Sequence, residues 1–252
     1  KRGYLSSFFI FEIMRQLLVI FFIFFISCNS ADNNEFQLQI GDILFQDLDS
    51  SPLCDAIEMV TPGHNNYNFS HIGIIIEGGI PFATNADSRF EEKYFYNLEE
   101  DFRVLEAIPN KVTTTRLDSF LNRSLDNNHN PKVIVGRLNK KYQHSIDNAV
   151  KFLKSKIGVE YDDYFIKDNN KYYCSELIHE AFEKDGIFNL YPMTFVDPNS
   201  KKIMKLWLDY YQKLDTNVPE GELGINPGVM SISEKIKIIH QYGEPSKKNN
   251  DE

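Results

Sequence analysis

The chain has 252 residues, 42% of them hydrophobic and 25% charged, with a net charge of -9. That length fits one substantial domain or two small ones. The acidic balance excludes a general nucleic-acid binder, which needs a basic face. There is no Walker-type glycine loop, no CxxC and no HExxH. The nearest approach to HExxH, "HEAFE" from His179, has Glu183 where the second histidine belongs. No cofactor or metal site is expected.

In chain order, the first 27 residues differ from the rest. "MRQLLVIFFIFFISC" carries Arg15, then an apolar run from Leu17 to Ile26, then the small Ser27. This is the make-up of a secretory signal peptide. Ser27-Cys28 resembles the lipobox of bacterial lipoproteins, in which the cysteine is lipidated and becomes the mature N-terminus. Phe25 departs from the leucine usual three places before the cysteine. The other readings are an uncleaved anchor and simple secretion, but the apolar run is shorter than the roughly 20 residues that span a bilayer. The sequence opens on Lys1, and translation is expected to start at Met14, with residues 1–13 upstream. The expected organisation is a signal peptide over 1–27, a lipidated tether over 28–35, one domain over 36–243 and a disordered tail over 244–252. The protein is then expected in the bacterial cell envelope, held to the membrane through Cys28 and facing the periplasm or exterior.

Within the domain, "FQLQIGDILFQ" alternates and predicts a strand divided by Gly41-Asp42. "SPLCDAIEMV" predicts a short helix, with Cys54 a small buried apolar residue on its inner face. "TPGHNN" is a loop. "SHIGIIIEGG" is a buried strand followed by a glycine turn. "RVLEAIP" is a second strand, stopped by Pro109. "VTTTRL" is an extended piece leading into a helix from Asp118. "KVIVGRL" is a third central strand. In "QHSIDNAVKFLKSKIG", Ile146, Ala149, Val150, Leu153 and Ile157 recur at helical spacing, with Gly158 closing the helix. A further helix is marked by Leu177, Ile178, Ala181 and Phe182, and another by Ile203, Leu206, Trp207, Tyr210 and Leu214. "VPEGELGINPGVM" reads as loop, and "ISEKIKIIHQYG" as a short element of undetermined type.

Cys174 lies near the start of its helix, in "NKYYCSELIHEAFEKDG" (170–186). Asp168, Asn169 and Asn170 all qualify as its cap. A helix N-terminus favours the thiolate form; the alternative is a packed, inert cysteine. A disulfide with Cys54 is possible. A thiol nucleophile needs a histidine to hold and return a proton. His179 is five residues on and points elsewhere around the helix. His129, His144 and His240 read as surface residues, and His64 remains open on its loop. His71 opens an apolar strand, where an unpaired ring is costly; it is either a satisfied structural histidine or a catalytic one. Glu106, between Leu105 and Ala107, poses the same choice between a solvent-facing residue and a partner for His71.

"GDILFQ", "SHIGIIIE", "VLEAIP", "GVEYDDYF" and "YYCSEL", in that order, resemble the permuted papain-like hydrolases of the YiiX/YebB group, relatives of NlpC/P60. The resemblance runs from about residue 40 to 185. It implies an α+β fold of circularly permuted papain-like type, a mostly antiparallel sheet packed against the cysteine helix. It also implies Cys174 as nucleophile, His71 as base and acid, and Glu106 as the group that orients His71. The backbone N–H of Cys174 is then a plausible oxyanion donor. Tyr161, Tyr172 and Tyr173 either line the cleft or belong to the core.

The function expected is a membrane-tethered cysteine amidase or peptidase acting through a thioester. Its substrates would be cell-wall peptides or small amino-acid amides. An acyltransferase or lipid hydrolase with the same three residues is the alternative, and an apolar cleft without a charged anchor would favour it. A non-catalytic binding module is the third reading, and a metal held by the same three side chains a minor fourth.

Overall fold

The computed structural model describes residues 36–78 and 102–248. The expected signal, Cys28, its tether, the turn after Gly78 and the last four residues of the expected tail lie outside the described residues. No described helix is long and apolar enough to cross a membrane.

Six strands form one antiparallel sheet: β1 (Ile43–Gln46), β2 (His71–Glu77), β3 (Arg103–Ile108), β4 (Lys111–Arg116), β5 (Val133–Leu138) and β8 (Ile236–Gln241), in the order β4-β3-β2-β1-β5-β8. Between them run α1 (Pro52–Val60), α2 (Leu117–Leu121), α3 (Ile146–Ser155), α4 (Cys174–Ala181), α5 (Lys205–Lys213) and α6 (Pro227–Ser231). A short hairpin pairs β6 (Tyr191–Pro192) with β7 (Leu223–Gly224).

Strand alternation sends successive side chains to opposite faces. Ile72, Ile74 and Ile76 of β2, with Leu105 and Ala107 of β3, join Leu177, Ile178 and Phe182 of the α4 region and Ala149 and Leu153 of α3 in one core. Glu106 therefore falls on the opposite face, which α2 covers. Gly73 shows how close that cover lies. A Cβ there would sit 2.4 Å from Val104 Cγ1 and 3.0 Å from Phe120 Cε2, so only glycine fits. This is the expected α+β fold, a mostly antiparallel sheet against the cysteine helix.

Several local expectations need correction. Residues 37–40 are not strand: the Asp42 carboxylate takes the Gln39 N–H at 2.7 Å and closes a turn through Gly41 at φ 91°. Arg137 pairs with the same carboxylate at 2.7 Å. None of Asp168, Asn169 or Asn170 caps α4. Asp168 and Asn170 sit at positive φ, and Asn169 Oδ1 accepts the Lys171 N–H at 2.9 Å, so all three belong to a preceding turn. The N-cap is Tyr173, which makes Cys174 the first helical residue. Tyr173's own N–H is taken by the Glu176 carboxylate, the returning half of a capping box. The undetermined C-terminal element is the edge strand β8. The stretch read as loop before it contains β7 and α6. The tail is held as far as Lys248: Ser246 N–H and Oγ–H both donate to Asp47 Oδ2, at 2.6 and 2.7 Å, and Asn68 N–H donates to the Ser246 carbonyl at 2.8 Å.

Candidate active site

Cys174, His71 and Glu106 come from three separated stretches of chain. Antiparallel pairing of β2 and β3, with Ile74 opposite Leu105, brings His71 and Glu106 to one end of the sheet. Helix α4 delivers Cys174 to that end with its N-terminus. All three are buried. His71 Nε2 stands 2.6 Å from Glu106 Oε2. Cys174 is the other hydrogen-bonding partner of His71. His71 thus lies between a carboxylate and a thiol, the order a nucleophile, base and orienting group require.

The electrostatics follow from these contacts. Burial pulls the His71 pKa down. Hydrogen bonds to Cys174 and Glu106, and the charges of both, outweigh burial and hold it at about 9. For Glu106, burial pushes upward, but hydrogen bonds and charges from His71 and Arg123 bring it down to about 2. At neutral pH the pair is therefore an imidazolium facing a carboxylate.

Three supporting residues were not anticipated. Arg123, just after α2, grips both Glu106 oxygens, Nη1 to Oε2 at 2.6 Å and Nη2 to Oε1 at 2.5 Å. The Thr115 hydroxyl also donates to Oε1. Phe120 lies beside the His71 ring at 5.8 Å between centroids. The signal was present for Arg123 only as a cation in a short polar turn, and nothing in its neighbourhood linked it to Glu106.

A cleft of about 320 Å³ opens beside Cys174 and His71. Leu53 and Ile57 of α1, with Tyr161, Phe165, Phe195 and Trp207, give it apolar walls. Among the described residues, no Asp, Glu, Lys or Arg lines it. Tyr161 and Tyr173 both line the cleft and pack within the aromatic cluster around Trp207, whereas Tyr172 belongs to the main core. More than a third of the wall comes from residues beyond 187. Cys54 lines the same cleft, as a buried free cysteine, and Cys174 is free too. Of the other histidines, His144 is exposed and His179 is buried on α4, away from the cleft lining.

Residues 37–240 match the family model of the permuted papain-like amidase enzymes, YaeF/YiiX, C92 family. The chain belongs to this family of papain-like cysteine amidases and peptidases. The match reaches well past residue 185, where the resemblance in sequence blocks had ended. A solved structure described as metalloprotein yiiX from Escherichia coli O157:H7 is similar in fold, with a TM-score of 0.60 and 19% identity over 82% of this chain and 99% of that one. No curated protein matches the chain by sequence.

The description of that relative as a metalloprotein raises the question of a metal here. Among the described residues, no three His, Cys, Asp or Glu side chains form a group that could hold one. Of the three site residues, Glu106 has both oxygens engaged by Arg123, His71 and Thr115. The described residues do not fit a resident metal.

Proposed function

We propose that Cys174, His71 and Glu106 form the catalytic triad of an exported, lipid-anchored cysteine amidase whose substrates carry an apolar acyl group. The observation that supports it is the buried His71, held at 2.6 Å by Glu106 and hydrogen-bonded to Cys174 at the mouth of an uncharged cleft. With the Cys174 proton held on His71, Sγ attacks the scissile carbonyl carbon, and the C=O electron pair moves to oxygen. The backbone N–H of Cys174, at the positive end of α4, would donate to that oxyanion. Collapse breaks the C–N bond, and His71 gives its proton to the departing amine. Water, deprotonated by His71, then attacks the thioester and releases the acid and the thiol.

The lining of the cleft also favours the second reading, acyl transfer or lipid hydrolysis by the same three residues. A charged cell-wall peptide finds no ionic partner among the described wall residues, whereas an acyl chain buries its methylenes there at about 0.8 kcal/mol each. Both readings share the acyl-thioester. They part at the acceptor, which is water in one and a second alcohol or amine in the other.

The test is a paired screen with the Cys174→Ala variant as blank. N-dodecanoyl glycinamide and a cell-wall tetrapeptide amide are offered at equal concentration, with and without a primary amine acceptor. Cys174-dependent release from the acylated amide alone supports the proposal, and acylated acceptor supports transfer. Cleavage of the tetrapeptide with the acylated amide untouched overturns the apolar assignment. The membrane anchor through Cys28 remains part of the proposal.

A further inference from the structure

Glu106 meets two cations. Oε2 lies 2.6 Å from both His71 Nε2 and Arg123 Nη1, and Oε1 takes Arg123 Nη2 at 2.5 Å together with the Thr115 hydroxyl. The carboxylate is fully buried, while the Arg123 side chain is 28% exposed. The guanidinium lies over Phe120, 5.4 Å from the ring centroid, and that same ring flanks His71. Arg123 is absent from the cleft wall, so it reaches the reacting atoms only through Glu106.

The charges explain what such an arrangement does. A buried carboxylate alone beside an imidazole would hold its proton very firmly, and a group that holds its proton too firmly is a poor acid for the leaving amine. Papain-like proteases place a neutral asparagine in the third position. A carboxylate gripped by a guanidinium has the same net charge as that amide, zero, and is fixed in direction by two parallel hydrogen bonds. We propose that Arg123 is a positioning residue that turns Glu106 into a rigid, partly charge-compensated acceptor, so that the Glu106–Arg123 pair holds the His71 proton less firmly than a lone buried carboxylate would. The pair thereby sets how readily His71 gives up its proton. This rests on His71 being the base and acid of the reaction.

Among the described residues, the groups that face His71 are few. Glu106 and Cys174 contact it, Gln46 stands opposite it across β1 and β2, and Phe120 covers it. Tyr161 lines the cleft beside Cys174. Among the described residues, Arg123 is the cation that touches Glu106 besides His71.

The experiment is an NMR titration of the His71 imidazole in the full chain, read alongside iodoacetamide alkylation of the Cys174 peptide across pH. Arg123→Met leaves Glu106 uncompensated, and the His71 midpoint should rise by about one pH unit. Glu106→Gln leaves Arg123 facing the imidazolium, and the midpoint should fall by more than one unit. Adding Arg123→Met to Glu106→Gln removes that repulsion and should raise the midpoint again, so the second substitution rescues the first. Arg123→Lys keeps the charge without the two-pronged grip and should leave the midpoint close to wild type. If Arg123→Met does not fold, the double variant, which has no unpaired buried charge, and Arg123→Lys still read the effect. An Arg123→Met midpoint that is unchanged or lower overturns the inference, as does a double variant no higher than Glu106→Gln. Alkylation of Cys174 that ignores His71→Ala would instead overturn the catalytic reading itself.

Discussion

Gly73→Ala probes the side of the site that the cleft does not show. The added methyl would lie 2.4 Å from Val104 Cγ1 and 3.0 Å from Phe120 Cε2. Carbon atoms rest at about 3.5–4.0 Å, so β3 or α2 must move by roughly 1 Å. Overpacking of this kind costs about 1–3 kcal/mol. With a urea slope of about 2 kcal/mol per molar, the unfolding midpoint should fall by roughly 1 M. The displaced atoms are those beside His71 and leading into Arg123, so the carboxylate–imidazole alignment shifts with them. A 1 Å misplacement costs on the order of 10²-fold in rate. Both effects are read on one preparation, by urea titration and by turnover of the acylated amide. Val104→Ala removes the nearest clashing atom and should restore part of both in the double variant. Gly73→Ala with an unchanged midpoint and full turnover would refute the claim that α2 closes tightly on this face.

Four further outcomes are expected. Cys174→Ala and His71→Ala should each abolish turnover, and the double variant should be hardly worse than either, because members of a triad act as a unit; losses that multiply in rate assays would count against it. Thermal stability should peak near pH 4.5 and decline toward pH 9. The contribution of Glu106, held at about 2, is present above its ordinary 4.5 and lost as pH falls, while that of His71, held at about 9, is full below its ordinary 6.5 and lost as pH rises. Burial raises Glu58 and Glu176 to about 8, and this removes stability between pH 4.5 and 8, so Glu58→Gln should flatten the melting profile in that window; an unaltered profile contradicts it. Cys28→Ala should release the protein from membranes or block its processing, and a membrane-bound variant of normal mature size would defeat the lipid-anchor proposal.

The elements that place the site are legible in the sequence because burial writes a strong pattern. Alternation and β-branching mark Ile72 to Ile76, and helical spacing marks Leu177, Ile178 and Phe182. His71 and Glu106 show as polar residues inside apolar strands, which demand partners. What the sequence leaves hidden is held by long-range contact. Arg123 finds Glu106 only after β3, β4 and α2 have folded back on one another. Gly73 has no reason to be glycine until Phe120 arrives. The start of α4 is misplaced because three polar residues form the preceding turn, while a tyrosine, a weak cap by type, takes the cap position and borrows Glu176 to complete it. The far wall of the cleft comes from Phe195 and Trp207, whose aromatic spacing indicates core without indicating that the core is open on one side.

The most direct test of the central claim is to trap the acyl-enzyme. The full chain is mixed with N-dodecanoyl glycinamide, quenched in acid within the first turnovers, digested and weighed by mass spectrometry. A dodecanoyl mass is expected on the peptide containing Cys174. That mass should be removed by neutral hydroxylamine, be absent from Cys174→Ala and be strongly reduced in His71→Ala. Turnover that persists in Cys174→Ala, or an acyl group found on another residue, would contradict it.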